Sequence, residues 1–170
     1  MIDPLSRKIA HIVTHVLSSI LLEAAKETGK NFANDAYEKI KNLFRKRKQK
    51  LILAEFEKEP QSQLTKESLE KELTVILSSS RDIPEEMLPL FDFMSVNAAI
   101  LKTTFRSYKV LLARHANCYE LLTDAKSGTD KYYVEYKKDI RDLEKRMRHE
   151  YDKIMKMLPG KNNQIIDANI

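Results

Sequence analysis

The chain has 170 residues, 42 % of them hydrophobic and 32 % charged, with only 3 glycines and 5 prolines and a net charge of +5. Such a length buries a core without metal or disulfide staples, and so few turn residues exclude a strand-rich or disordered chain in favour of a helical one. Cys118 is the only cysteine, so no internal disulfide forms, and a reducing compartment, by default the cytoplasm, is expected.

From Leu5 onward Ile9, Ile12, Val16, Ile20 and Ala24 recur at spacings of three and four, which predicts a helix. His11, Thr14, His15, Ser18, Ser19 and Glu23 trace one narrow polar stripe along it. The rest of the circumference is apolar, and Ile9, Ile12, Val13, Val16 and Ile20 form a candidate interaction face, suited to the middle of a bundle or to a lipid or protein surface. The polar stripe interrupts the apolar run, so neither a signal peptide nor a membrane span is expected. Gly29 predicts a break or kink, after which Phe32, Ala36, Ile40 and Leu43 resume the spacing in a bent N-terminal helix.

Arg45, Lys46, Arg47, Lys48 and Lys50 put five basic residues in a window of six, a candidate contact for an anionic surface. Without interleaved aromatics for base stacking, the run reads as a solvated helix end first, an anionic-lipid contact second and a nucleic-acid contact third. Leu51 to Glu57 predicts a short helix closed by Pro60. Thr65 is the expected N-cap of the next one, which buries Leu69, Leu73, Ile76 and Leu77 and ends at Ser78–Ser80. Pro84, followed by Glu85 and Glu86, starts another. Charge is uneven along the chain: the balance is +4 over residues 1–60, −4 over 61–92 and +5 over 93–170.

In the second half Met94, Ala98, Leu101, Phe105, Tyr108, Leu112, His115, Tyr119 and Leu122 alternate spacings of four and three, a heptad seam. Lys126-Ser127-Gly128-Thr129 is the expected turn. Tyr133, Tyr136, Ile140, Leu143, Met147, Tyr151, Ile154 and Leu158 form the matching seam, so the two segments predict a long antiparallel hairpin with arms of about 45 Å. The expected architecture is an all-α, elongated helical bundle: an N-terminal helical module over residues 1–90, the hairpin packed on it over 91–160, and a polar tail over 161–170.

Chemistry has few footholds. His11 and His15 stand at i, i+4, a spacing that lets two imidazoles share a metal, but a third ligand is not evident and no metal is expected. Cys118 lies near His115 with no orienting carboxylate or amide, so it reads as a small packed hydrophobe rather than a nucleophile. Phosphate loops, nucleophile elbows and zinc-protease signatures are absent from the sequence. The mixed charges from Lys137 to Glu150 read as a solvated face with i, i+4 pairing. Most tyrosines fall on the seams as core, with Tyr132 expected outside.

Asp35-Ala36-Tyr37-Glu38-Lys39-Ile40-Lys41-Asn42-Leu43-Phe44-Arg45-Lys46-Arg47 and Glu57-Lys58-Glu59-Pro60-Gln61-Ser62, followed by Leu69 and Leu73 and preceded by Asp3-Pro4-Leu5, resemble a helical N-terminal module of uncharacterised bacterial proteins. In cyanobacterial and actinobacterial chains that module stands ahead of effector or signalling domains. The likeness spans about residues 1–90 and brings no catalytic residue. A looser likeness, in architecture alone, is to HeLo-type and mixed-lineage-kinase-like four-helix bundles, which are implicated in membrane damage during cell death. The first resemblance implies a non-enzymatic adaptor or regulatory module of a bacterial defence or signalling system, bound to a protein partner or a second copy of itself. The second implies a membrane-perturbing effector that associates with an anionic membrane on activation. A nucleic-acid-binding helical protein is the third reading. No cofactor and no small-molecule substrate is expected in any of them.

Overall fold

The computed structural model describes residues 3–24, 31–125 and 131–160, and every long element within them is an α-helix: α1 Pro4–Ala24, α2 Asn31–Lys41, α3 Arg47–Lys58, α4 Gln63–Ser79, α5 Leu88–Phe93, α6 Ala98–Asp124 and α7 Lys131–Met157. The all-α class follows. One 3₁₀ turn, Glu85–Met87, precedes α5. The break expected at Gly29, the turn at Lys126–Thr129 and the tail at 161–170 lie outside the described residues.

The chain divides into two compact units. The first takes in the chain up to Ala98 and rejoins it at Leu158; the second is Ala99–Met157. The division therefore falls between Ala98 and Ala99 and again between Met157 and Leu158.

In the first unit α1 starts on a cap that its sequence supplies. Asp3 Oδ1 accepts from the Ser6 backbone N–H at 2.7 Å, its Oδ2 accepts from the Ser6 hydroxyl at 2.8 Å, and Pro4 occupies the first helical position, where its missing N–H costs nothing. Leu5, Ile9, Val13, Val16, Leu17 and Ile20 are 0–2 % exposed and form one side of the core. The other side comes from α4 through Leu69, Leu73 and Leu77, all 0 % exposed. The two helices run antiparallel, since His11 meets Glu70 while Ser18, further along α1, meets Pro60, earlier in the chain.

α3 packs beside α4, and α2 against α5 and the 3₁₀ turn. α5 ends in a Schellman motif: the Val96 N–H donates to the Phe91 carbonyl at 2.9 Å, that of Ser95 to Asp92 at 3.0 Å, and Ser95 takes φ 60. Val96 and Phe91 are both buried, the hydrophobic contact that accompanies this cap.

One local expectation is corrected. Thr65 is not a cap: α4 begins at Gln63, and the Thr65 hydroxyl, inside the first turn, donates to the Glu59 carbonyl at 2.6 Å. A threonine near a helix start reads alike at either position. The basic run, read first as a solvated helix end, is exposed at the N-terminal end of α3: Arg45 and Lys46 precede the helix, and Arg47, Lys48 and Lys50 fill its first turns.

In the second unit α6 and α7 are joined by a contact between His115 Nε2 and Glu144 Oε1 at 3.3 Å. Burial along the predicted seams is graded. Leu101, Phe105 and Tyr108 are buried, Leu112, His115 and Leu122 half-buried, and Tyr119 is 47 % exposed. On α7 Ile140, Leu143 and Ile154 are buried, while Tyr133 and Tyr136 are half-buried. Tyr119 thus departs from the core role that its heptad position suggested. Met94 also leaves the seam, being buried at the end of α5 rather than within α6.

Candidate functional site

α1 and α4 leave between them a groove of about 640 Å³, lined by Arg7 and His11 from α1 and by Glu67, Glu70, Lys71 and Val75 among others from α4. His11 Nδ1 lies 2.9 Å from Glu70 Oε2 on its wall, and the His15 ring stacks edge-on against His11 with centroids 4.4 Å apart. Partial burial pushes the His15 imidazole below its ordinary 6.5; the neighbouring His11 and Lys66 push the same way, and Glu70 opposes them weakly. Leu64 is 76 % and Val75 52 % exposed, and eleven residues of separation puts them on one side of α4. Among the described residues no three His, Cys, Asp or Glu side chains stand where they could hold one metal ion, so His11 and His15 meet a carboxylate but no further ligand.

The apolar face expected on α1 is core. Ile9 and Val13 are 0 % exposed, Val16 1 %, Ile20 2 %, and Ile12 is half-buried. The polar stripe is divided too: His11 and His15 face solvent, whereas Thr14 and Ser18 are 1 % and 3 % exposed. Among the described residues no helix is long and apolar enough to cross a membrane.

The basic run stands in the open. Arg45, 80 % exposed in its side chain, reaches Glu86 at 3.4 Å. Lys46, Arg47, Lys48 and Lys50 form no ion pair with a described residue. The Gln49 carboxamide oxygen accepts from the Lys46 N–H at 3.0 Å and caps α3, while its amide donates to Glu72 at 2.6 Å and ties α3 to α4. No acidic residue occupies the first turn of α3, so positive side chains crowd the positive end of the helix dipole. The sequence is unfavourable to the helix there.

A third cluster joins α2 to α3. The Tyr37 hydroxyl donates to Glu57 Oε1 at 2.8 Å, and Lys41 Nζ reaches the same oxygen at 3.2 Å. Burial, and then the bond to Glu57, push the Tyr37 phenol far above its ordinary 10. Burial would lower the Lys41 ammonium, but its contacts with Glu57 and Glu38 outweigh that and raise it. This cluster is a structural tie between helices.

Cys118 is half-buried on α6. His115, one turn before it, is engaged by Glu144 and by the Tyr119 ring at 4.9 Å. The sequence reading missed one feature, the outer face of α7. There Tyr133, Val134, Lys137, Lys138, Arg141 and Lys145, with Asp142 as the one acid, border a shallow hollow of about 450 Å³. A helical wheel of residues 131–157 shows it, because the basic and acidic residues segregate onto different sides. No family model, curated protein or solved structure matches the chain.

Proposed function

We propose that the chain is a non-enzymatic interaction module of the adaptor or regulatory kind, serving a bacterial defence or signalling system. The groove between α1 and α4 supports this reading: Val75, 52 % exposed, lines it with Arg7, Glu67 and Lys71, and Leu64 stands exposed on the same side of α4. Apolar anchors with a charged rim suit the side of a partner helix. The test is affinity capture and sedimentation velocity with the parent chain and with Leu64→Glu/Val75→Glu. A protein, or a second copy of the chain, held by the parent and released by the variant is the expected result. Equal retention by both would move the contact elsewhere.

A second reading, a membrane-perturbing bundle, draws on the uncharged stretch of α1 between Lys8 and Glu23 together with the exposed Lys46, Arg47, Lys48 and Lys50. It requires α1 to leave α4. Cysteines at His11→Cys and Glu70→Cys, joined by a short thiol crosslinker in a Cys118→Ser background, hold the two helices together. Dye leakage from anionic vesicles that stops on crosslinking favours this reading. Leakage from both forms, or from neither, removes it.

A further inference from the structure

α7 has a charge pattern that its composition hides. Successive residues of a helix turn by about 100°, and on that wheel Lys137, Lys138, Arg141, Lys145 and Arg148, with Lys131 and Lys156 at the two ends, fall within a sector of about 120°. These are seven of the nine basic residues of the helix. Of its six acidic residues only Asp152 lies in the sector, while Glu135, Asp139, Asp142, Glu144 and Glu150 lie outside it. Random placement would put about two acids and three bases there. The sector points away from the buried Ile140, Leu143 and Ile154, and each of its basic side chains is exposed.

On this sector the pairing expected of mixed charges is missing. None of the sector's basic side chains forms an ion pair with a described residue; the pairs on α7 are Lys153 with Glu150 and Glu144 with His115. From Lys137 to Arg148 five positive charges span about 17 Å, a mean interval of about 4 Å, of the same order as the ~3.4 Å rise per phosphate along one strand of a duplex. At the start of the face the Lys137 ammonium sits 4.4 Å from the ring centre of the half-buried Tyr133. An aromatic ring at the border of a basic track is a surface on which a base stacks.

An anionic membrane fits less well. A helix held at a lipid surface places several large apolar groups on the lipid side, and within this sector the apolar side chains are Val134, 69 % exposed, and the half-buried Met155.

We propose that the outer face of α7 is a docking surface for the phosphate backbone of a nucleic acid, contacted without regard to sequence through Lys137, Lys138, Arg141, Lys145 and Arg148. This goes beyond the adaptor reading and does not depend on it.

The test is fluorescence anisotropy of the full chain with a labelled single strand of about 20 nucleotides and with the matching duplex, across a salt series. The parent chain should bind at low salt. Lys138→Glu/Arg141→Glu/Lys145→Glu should weaken binding at least about tenfold and flatten the log–log salt slope by about 2 on the single strand and about 3 on the duplex, the amounts that three lost phosphate contacts predict. Lys39→Glu/Lys58→Glu/Arg81→Glu, which changes net charge equally on exposed positions of the other unit, should leave affinity within about twofold. The triple glutamine variant at 138, 141 and 145 should weaken binding in the same direction with less repulsion, and circular dichroism confirms that each variant is folded. Equal weakening by the two charge reversals would reduce the effect to net charge and overturn the proposal. So would an absence of parent binding to either oligonucleotide at low salt, or binding to anionic vesicles alone.

Discussion

The Ser18 hydroxyl donates to the carbonyl of Pro60 at 2.7 Å, fastening the middle of α1 to a residue 42 positions later, in the connection between α3 and α4. One helical turn earlier Thr14 is as deeply buried, yet its hydroxyl has no hydrogen-bond partner among the described residues. Ser18→Ala should lower the unfolding free energy by about 1–2 kcal/mol, since it strands a carbonyl. Thr14→Val should raise it by up to about 1 kcal/mol, because it removes an unsatisfied hydroxyl and keeps the shape. Urea denaturation of both variants reads the two signs, and a loss on Thr14→Val would reveal a partner for that hydroxyl.

Ser95 holds φ 60 at the end of α5, where the Schellman motif needs the left-handed region. A side chain there costs about 1 kcal/mol that glycine avoids. Ser95→Gly should therefore stabilise the chain by roughly 0.5–1 kcal/mol in the same denaturation experiment.

Acid should loosen the fold through His15. Its folded pKa lies below the 6.5 of the unfolded chain, chiefly through burial and then through His11 and Lys66. Between those two values the unfolded chain binds more protons, so stability is lost as pH falls below about 6.5. His15→Gln should flatten the dependence of Tm on pH between about 7 and 5. An unchanged slope would show that another group carries the acid response.

Tyr37 gives the opposite window. Its folded pKa is raised above 10 by burial first and by its bond to Glu57 second. The stability held in that bond is present below pH 10 and is lost as pH rises beyond it. Tyr37→Phe should cost about 1 kcal/mol at neutral pH. The difference absorbance between parent and variant should contain no phenolate rise around pH 10; a rise there would place Tyr37 in solvent.

The first turn of α3 sets cations against a positive helix end, with no acid beside them. Lys48→Glu should stabilise the chain by about 0.3–1 kcal/mol at low salt, an effect that fades as salt screens it. A fold that gains stability when this lysine is reversed holds the run for a purpose other than stability. Destabilisation would argue that the run is structural.

The helical class, the long helices of both units and the stops at Pro60 and Ser80 were legible along the chain. A helix closes its hydrogen bonds within four residues and displays its buried side every three or four, so local order is enough to find it. The N-cap at Asp3 and the segregated charges of α7 were equally present in the sequence. They went unread because a carboxylate ahead of a proline and a mixed-charge helix each have common plainer meanings.

What the sequence alone determined is therefore the set of helices and the side of each that seeks burial. Tertiary structure decided which polar residues go in with the apolar ones. Thr14 and Ser18 belong to the same stripe as His11 and His15, yet two are buried and two are exposed, because α4 and Pro60 approach α1 from one direction only. It also decided that the α1 face from Ile9 to Ile20 is core and that Tyr119 lies open. Periodicity says which side is apolar, but burial depends on the neighbour that covers it, and that neighbour lies tens of residues away in the chain.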